Sequence, residues 1–131
     1  MKRVKDMVAA ANEIVDTITP EEAMALHGQE CVTFVDLRDP RELQRDGMVP
    51  DAFHCPRGML EFWIDPESPY AKERFQSGDR FVFYCASGWR SALSARVAQD
   101  MGLENVSHIV SGYGGWKKAG GAVAEKAEKK G

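Results

Sequence analysis

The sequence is short of the features that would assign it at once. No uninterrupted apolar run comes near the ~20 residues that cross a bilayer. The charged start Met1-Lys2-Arg3-Val4-Lys5-Asp6 is not followed by an apolar stretch of signal-peptide length. Asp6, Glu13 and Asp16 argue against a presequence of mitochondrial type, which would be poor in acids. There are 3 cysteines, at 31, 55 and 85. That odd number is too small for a disulfide scaffold, and without Cys-x-x-Cys it suggests neither a zinc knuckle nor a thioredoxin pair. The 3 histidines (His27, His54 and His108) lack ligand spacing; each is expected to be structural, and neither metal nor cofactor is expected. Nor is there a surplus of positive charge. The 17 Lys and Arg stand against 20 Asp and Glu, a net charge of −3. Nucleic acid and anionic membrane are therefore not expected as partners.

What is present describes one folded domain. The 131 residues are 44% apolar and 28% charged, which excludes disorder and fits a single unit of ordinary size. Such a chain buries about two thirds of its unfolded surface and needs no covalent staple. The expected compartment is the cytosol, where thiols stay reduced.

Val4, Met7, Val8, Ala11, Ile14, Val15 and Ile18 recur at three- and four-residue spacing. They predict an amphipathic helix over residues 1–18, packed on its own domain or, alternatively, used as an oligomer contact. Thr19-Pro20-Glu21-Glu22 is a capping box that starts a short helix ending at His27-Gly28. Cys31–Val35, Phe81–Cys85 and, more weakly, Val106–Val110 are continuous apolar runs. Runs of that kind predict strands covered on both faces, hence a parallel sheet. Asp39-Pro40-Arg41-Glu42 is a second helix start, and Ser91–Met101 reads as a helix stopped by Gly102. Strands alternating with helices make a small α/β domain, placed over residues 19–121. A charged tail over 122–131 is expected to fray.

The most informative segment is Tyr84-Cys85-Ala86-Ser87-Gly88-Trp89-Arg90-Ser91. It lies where a buried strand ends and a helix begins, the edge of a parallel sheet at which ligands bind. The helix offers free N–H groups and the positive end of its dipole. Small residues allow those N–H groups to converge on one point as an anion nest. A cysteine at the mouth of such a loop makes its own thiolate the bound anion. Cys85 is therefore expected to be a nucleophile held in its ionised form. Ala86, Ser87, Gly88, Trp89 and Arg90 form its cradle, and Arg90 adds a fixed charge at the rim.

The same residues carry a resemblance. Cys85-Ala-Ser-Gly-Trp-Arg90-Ser91 resembles the active-site loop of the rhodanese-like sulfurtransferases. Upstream, Val35-Asp36-Leu37-Arg38-Asp39-Pro40-Arg41-Glu42-Leu43 is similar to the family's first strand and turn. Downstream, Val110-Ser111-Gly112-Tyr113-Gly114-Gly115-Trp116 resembles its closing segment. Gly47-Met48-Val49-Pro50-Asp51-Ala52 stands where the family has Gly-His-Ile-Pro-Gly-Ala, with Met48 for His and Asp51 for Gly. The likeness runs from about Glu21 to Gly120. It implies a single rhodanese-like domain, with a central parallel sheet of about five strands and helices on both faces. It also implies a persulfide carried on Cys85.

Sulfur-transferring members resemble Cys-x4-Arg, and related phosphatases Cys-x5-Arg. Here Arg90 follows Cys85 after four residues, and the next position is Ser91. The implied activity is transfer of a sulfane sulfur from thiosulfate or another persulfide donor to a thiol, a sulfur-accepting protein or cyanide. No histidine base is needed for the first step. The alternatives are a non-catalytic rhodanese-like module that binds a partner protein, and a phosphatase or arsenate reductase.

Among supporting residues, Asp36 and Arg38 are expected to fix the strand end rather than bind substrate, and Ser91 to assist the loop. Arg57 either adds positive potential at the same edge or forms an ordinary surface pair. Trp89 either lines the substrate mouth or packs on the surface. Cys31 and Cys55 are expected to be small buried hydrophobes. Arg57–Trp63 reads as a short helix packing Leu60 and Phe62 inward.

Overall fold

A computed structural model describes residues 1–126. Five strands form one parallel sheet in the order β1-β5-β4-β2-β3: β1 Asp16–Ile18, β2 Val32–Asp36, β3 Phe53–His54, β4 Arg80–Tyr84 and β5 Val106–Ile109. Six α-helices connect and cover them: α1 Val4–Ile14, α2 Pro20–Leu26, α3 Pro40–Asp46, α4 Leu60–Ile64, α5 Trp89–Asp100 and α6 Gly112–Lys118. The two capping boxes form as expected: Thr19 with Glu22 opens α2, and Asp39 with Glu42 opens α3.

The central strand explains the continuous apolar runs. Side chains alternate across a strand, and β4 buries both sets. Phe81 and Phe83 join Val35, Leu37, Leu60 and Phe75 on one face. Val82 and Tyr84 join Phe34, Ile109 and Trp116 on the other. Burying both sides of a five-residue strand leaves only its ends for polar chemistry, and the carboxyl end of β4 leads straight into Cys85.

Four local expectations are corrected. The first helix stops at Ile14, and Asp16–Ile18 becomes an edge strand pairing Thr17 with His108. Val15 turns extended and is buried, as is Ile18, so apolar residues of helical spacing divide between a helix and a strand. Val8 and Ala11 pack against Ala92 of α5, whereas Val4, Met7 and Ile14 are exposed. Cys31 is not buried: it is exposed, at a left-handed φ of 62° that ends the turn into β2. In α4 it is Ile64, not Phe62, that accompanies Leu60 into the core; Phe62 is exposed. The tail is held as far as Ala124, whose N–H and C=O both bond Met48 in an antiparallel bridge. The rest of that expectation, residues 127–131, lies outside the described residues.

Candidate active site

Cys85 directly follows β4 and sits beneath a loop whose shape is enforced from the next crossover. The N–H of Tyr113 donates to the Cys85 carbonyl at 2.8 Å, and that of Gly114 to the Ala86 carbonyl at 3.2 Å. With its carbonyls turned outward to α6, the loop turns amides inward. Gly88 N–H donates to Cys85 Sγ at 3.2 Å and Ser91 N–H at 3.3 Å, and Ser91 Oγ lies 3.5 Å away. Of the cradle amides expected at 86–90, that of Gly88 reaches the sulfur among the described residues, and the second donor comes from Ser91.

Two glycines make this closure possible. Gly88 has φ of 103°, and a Cβ on it would meet the Val110 carbonyl oxygen at 2.1 Å. Gly112 has φ of 64°, and a Cβ there would meet the Ala86 carbonyl oxygen at 2.5 Å. The quoted glycines are thus places where two backbones touch, the positions at which a side chain has no room.

The Arg90 side chain is engaged from α3. Its guanidinium forms a bidentate pair with Glu42 of α3, at 2.8 and 3.0 Å. The pair holds the Glu42 carboxyl below the usual carboxylate range, chiefly through the hydrogen bond from Arg90. Arg90 is half-buried at the loop's rim, 40% exposed on its side chain. Trp89, Ala86 and Ser87 are exposed at the mouth. Cys85 itself is 1% exposed.

Asp36 and Arg38 form a buried scaffold one strand away. Arg38 donates from Nε and Nη2 to the two carboxylate oxygens of Asp36, and from Nη2 to the Gly47 carbonyl at 2.8 Å. The Tyr84 hydroxyl donates to Asp36 Oδ2 at 2.6 Å and accepts from Val49 N–H at 3.1 Å. Arg38 also stacks over Tyr113, 4.2 Å from its ring centre. The network ties the Gly47–Ala52 segment to β4, the strand that carries Cys85. Within that segment Asp51 has φ of 64°, the left-handed conformation that glycine adopts most readily and aspartate tolerates. Arg57 pairs with Glu61 four residues on, at 2.7 Å. Cys55 is buried, and burial pushes its thiol up to about 12, with Arg57 opposing. It is inert as a nucleophile.

Nothing local in the sequence marks what lies behind Ser91. Ser91 Oγ is 2.9 Å from His108 Nδ1, and His108 Nε2 is 2.7 Å from Asn12 Oδ1. Burial lowers His108 from 6.5 to about 4, with Asp16 acting the other way. No histidine lies near the loop in sequence, but β5 brings one to within a single hydroxyl of the sulfur.

The model of the rhodanese-like domain matches residues 19–119. The chain belongs to the rhodanese-like family. A solved protein of unknown function from Rhodopseudomonas palustris, described as a possible tyrosine phosphatase, is 55% identical. It superposes with a TM-score of 0.92, covering 95% of this chain and 96% of that one. The polysulfide-sulfur transferase homodimer of Wolinella succinogenes is 26% identical with a TM-score of 0.69, over 94% of this chain and 88% of that one. An uncharacterised protein of Synechocystis, slr1261, is 29% identical over 113 residues, 86% of this chain. The chain spans 58% of that relative's length. Among the described residues no helix is long and apolar enough to cross a membrane.

Proposed function

We propose that this rhodanese-like domain transfers a sulfane sulfur through a persulfide on Cys85. The observation that carries the reading is the placement of Cys85 Sγ under two converging amides, those of Gly88 and Ser91. Two N–H donors aimed at one atom stabilise negative charge there in the manner of an oxyanion hole, acting on sulfur.

The chemistry needs little else. The Cys85 thiolate attacks the outer sulfur of thiosulfate. An S–S bond forms to Cys85 as the donor's S–S bond breaks, and sulfite leaves with the electron pair. An acceptor thiolate, or cyanide, then attacks the outer sulfur of the persulfide and releases the Cys85 thiolate. A persulfide or polysulfide donor reacts in the same way; the solved Wolinella relative is named for that substrate class. Because Cys85 is 1% exposed, a donor must present one small atom end-on. The terminal sulfur of thiosulfate does so, whereas a phosphoryl group brings three oxygens. At the rim Arg90 masks the Glu42 carboxylate, which would otherwise repel a dianionic donor, and exposed Trp89 borders the approach.

Phosphate-ester hydrolysis is the second reading, because the solved Rhodopseudomonas relative is described as a possible tyrosine phosphatase. The loop speaks against it. Only four residues separate Cys85 from Arg90, and Arg90 turns both of its terminal nitrogens to Glu42. Both activities are measured on one preparation: thiocyanate formed from thiosulfate or polysulfide with cyanide, and nitrophenol released from its phosphate ester. Thiocyanate formation that disappears in Cys85→Ser is the expected result. Ester hydrolysis exceeding sulfur transfer would reverse the assignment.

A further inference from the structure

Behind Cys85 the hydrogen bonds continue away from the substrate side. Ser91 Oγ stands between Cys85 Sγ, at 3.5 Å, and His108 Nδ1, at 2.9 Å. His108 Nε2 ends the chain on Asn12 Oδ1, at 2.7 Å. Helix α5, strand β5 and helix α1 meet there. His108 is wholly buried. Its strand partners are Phe83 on β4 and Thr17 on β1. Ser91 reaches it from α5 and Asn12 from α1. Asp16 is the charged group whose field reaches the ring, and it is itself engaged by Arg80 and Ser107.

Counting protons along this chain orders it. A neutral imidazole has one N–H and one lone pair. The Asn12 side-chain oxygen only accepts, so the N–H is on Nε2 and the lone pair on Nδ1. Ser91 Oγ also lies 3.3 Å from the Gly88 carbonyl oxygen, but Nδ1, at 2.9 Å, is the nearer acceptor and takes the one hydroxyl proton. What Ser91 Oγ shows to Cys85 is a lone pair, which accepts from a thiol S–H and offers a thiolate nothing.

We propose that Asn12, by fixing the tautomer of His108, turns the Ser91 hydroxyl so that its lone pair faces Cys85, and that α1 thereby restrains ionisation of the nucleophile. The Gly88 and Ser91 amides act in the opposite sense, since each donates to the sulfur. Turning the hydroxyl proton to a thiolate would strip Nδ1 of its donor, and an unpaired buried acceptor is costly. Ionisation through the chain balances. The Cys85 proton passes to Ser91 Oγ while the Ser91 proton passes to Nδ1, leaving thiolate and imidazolium. Burial of the ring opposes that end state. His108 and Asn12 are positioning residues acting through Ser91. The inference rests on Cys85 being the nucleophile, but not on which donor it attacks.

The test is Asn12→Asp in a Cys31→Ser background, which removes the exposed competing thiol. A carboxylate at Nε2 remains an acceptor and favours the imidazolium, whose Nδ1–H donates to Ser91 Oγ and turns the hydroxyl proton to the sulfur. Iodoacetamide alkylation of Cys85, followed against pH, is expected to shift to lower pH in Asn12→Asp, about tenfold faster below the original midpoint. Asn12→Asp with Ser91→Ala is expected to match Ser91→Ala alone. An unmoved profile in Asn12→Asp, or an equal shift without the serine hydroxyl, overturns the proposal. The unaltered protein gives an independent reading: ring nitrogen–proton correlation spectra are expected to show His108 as the Nε2–H tautomer, and Nδ1–H would overturn it. Thiosulfate loading of the same samples separates the two ideas. A shifted alkylation profile without sulfur uptake would sink sulfur transfer and leave the ordering chain standing.

Discussion

His108 has no exposed surface, yet it is a base in the middle of the domain. Its pKa falls from 6.5 in the open chain to about 4 in the fold, because burial penalises the imidazolium more than the Asp16 charge favours it. The folded state therefore binds fewer protons than the unfolded state between those two values. The ring's contribution to stability is complete above pH 6.5 and is lost as pH falls toward about 4. At about 1.4 kcal/mol per pKa unit, the full interval is worth about 3 kcal/mol, of which about 2 kcal/mol is gone by roughly pH 5. Urea denaturation of the wild type and of His108→Gln, each at about pH 7 and 5 with reductant present, isolates this contribution. Carboxylates and the other histidines titrate alike in both proteins and cancel in the comparison. The wild type should lose about 2 kcal/mol more than the variant over that interval. A difference below about 0.5 kcal/mol would refute the reasoning, because it would mean that the ring is charged or hydrated inside the fold.

Gly88→Ala should cost about 2–4 kcal/mol in chemical denaturation and abolish thiosulfate loading. It places a Cβ 2.1 Å from the Val110 carbonyl oxygen at a left-handed φ; a near-neutral variant would contradict the loop geometry. Tyr84→Phe should destabilise by about 1–3 kcal/mol, since it removes a donor from buried Asp36 and orphans Val49 N–H. Denaturation with unchanged slope would measure it, and a loss below about 0.5 kcal/mol would show that water replaces the hydroxyl. Arg90→Ala should raise the KM for thiosulfate by about three- to tenfold and weaken its dependence on salt. A fall in kcat with KM unchanged would instead place the guanidinium on the reacting atoms.

The parts of the molecule legible in the sequence are those whose cause is local. The capping boxes at Thr19 and Asp39 satisfy their own helix ends, and the apolar runs of β2 and β4 need both faces covered wherever the fold puts them. Cys85 and its small-residue loop were legible for the same reason, as consecutive residues at one strand end. The residues that complete the site come from elsewhere in the chain. Glu42 meets Arg90 across 48 residues, and Asn12 meets His108 across 96. Neither pairing leaves a local mark, because a histidine in an apolar strand looks the same whether or not a serine hydroxyl stands in front of it. Strand β1 is ambiguous in period: Val15 and Ile18 fit a helical stripe as well as they fit a buried edge strand. At Cys31 hydrophobicity alone points to a strand, while the left-handed backbone puts the residue in the preceding turn.

Sulfur held on Cys85 is the claim on which the account depends, and intact-mass measurement reads it without any acceptor. After incubation with thiosulfate or polysulfide and removal of excess donor, the wild type should gain one sulfur atom. Peptide mapping should place it on Cys85, dithiothreitol should remove it, and Cys85→Ser should gain none. A wild-type protein that takes no sulfur from any sulfane donor, or takes it equally well on Cys31 in Cys85→Ser, would contradict the account.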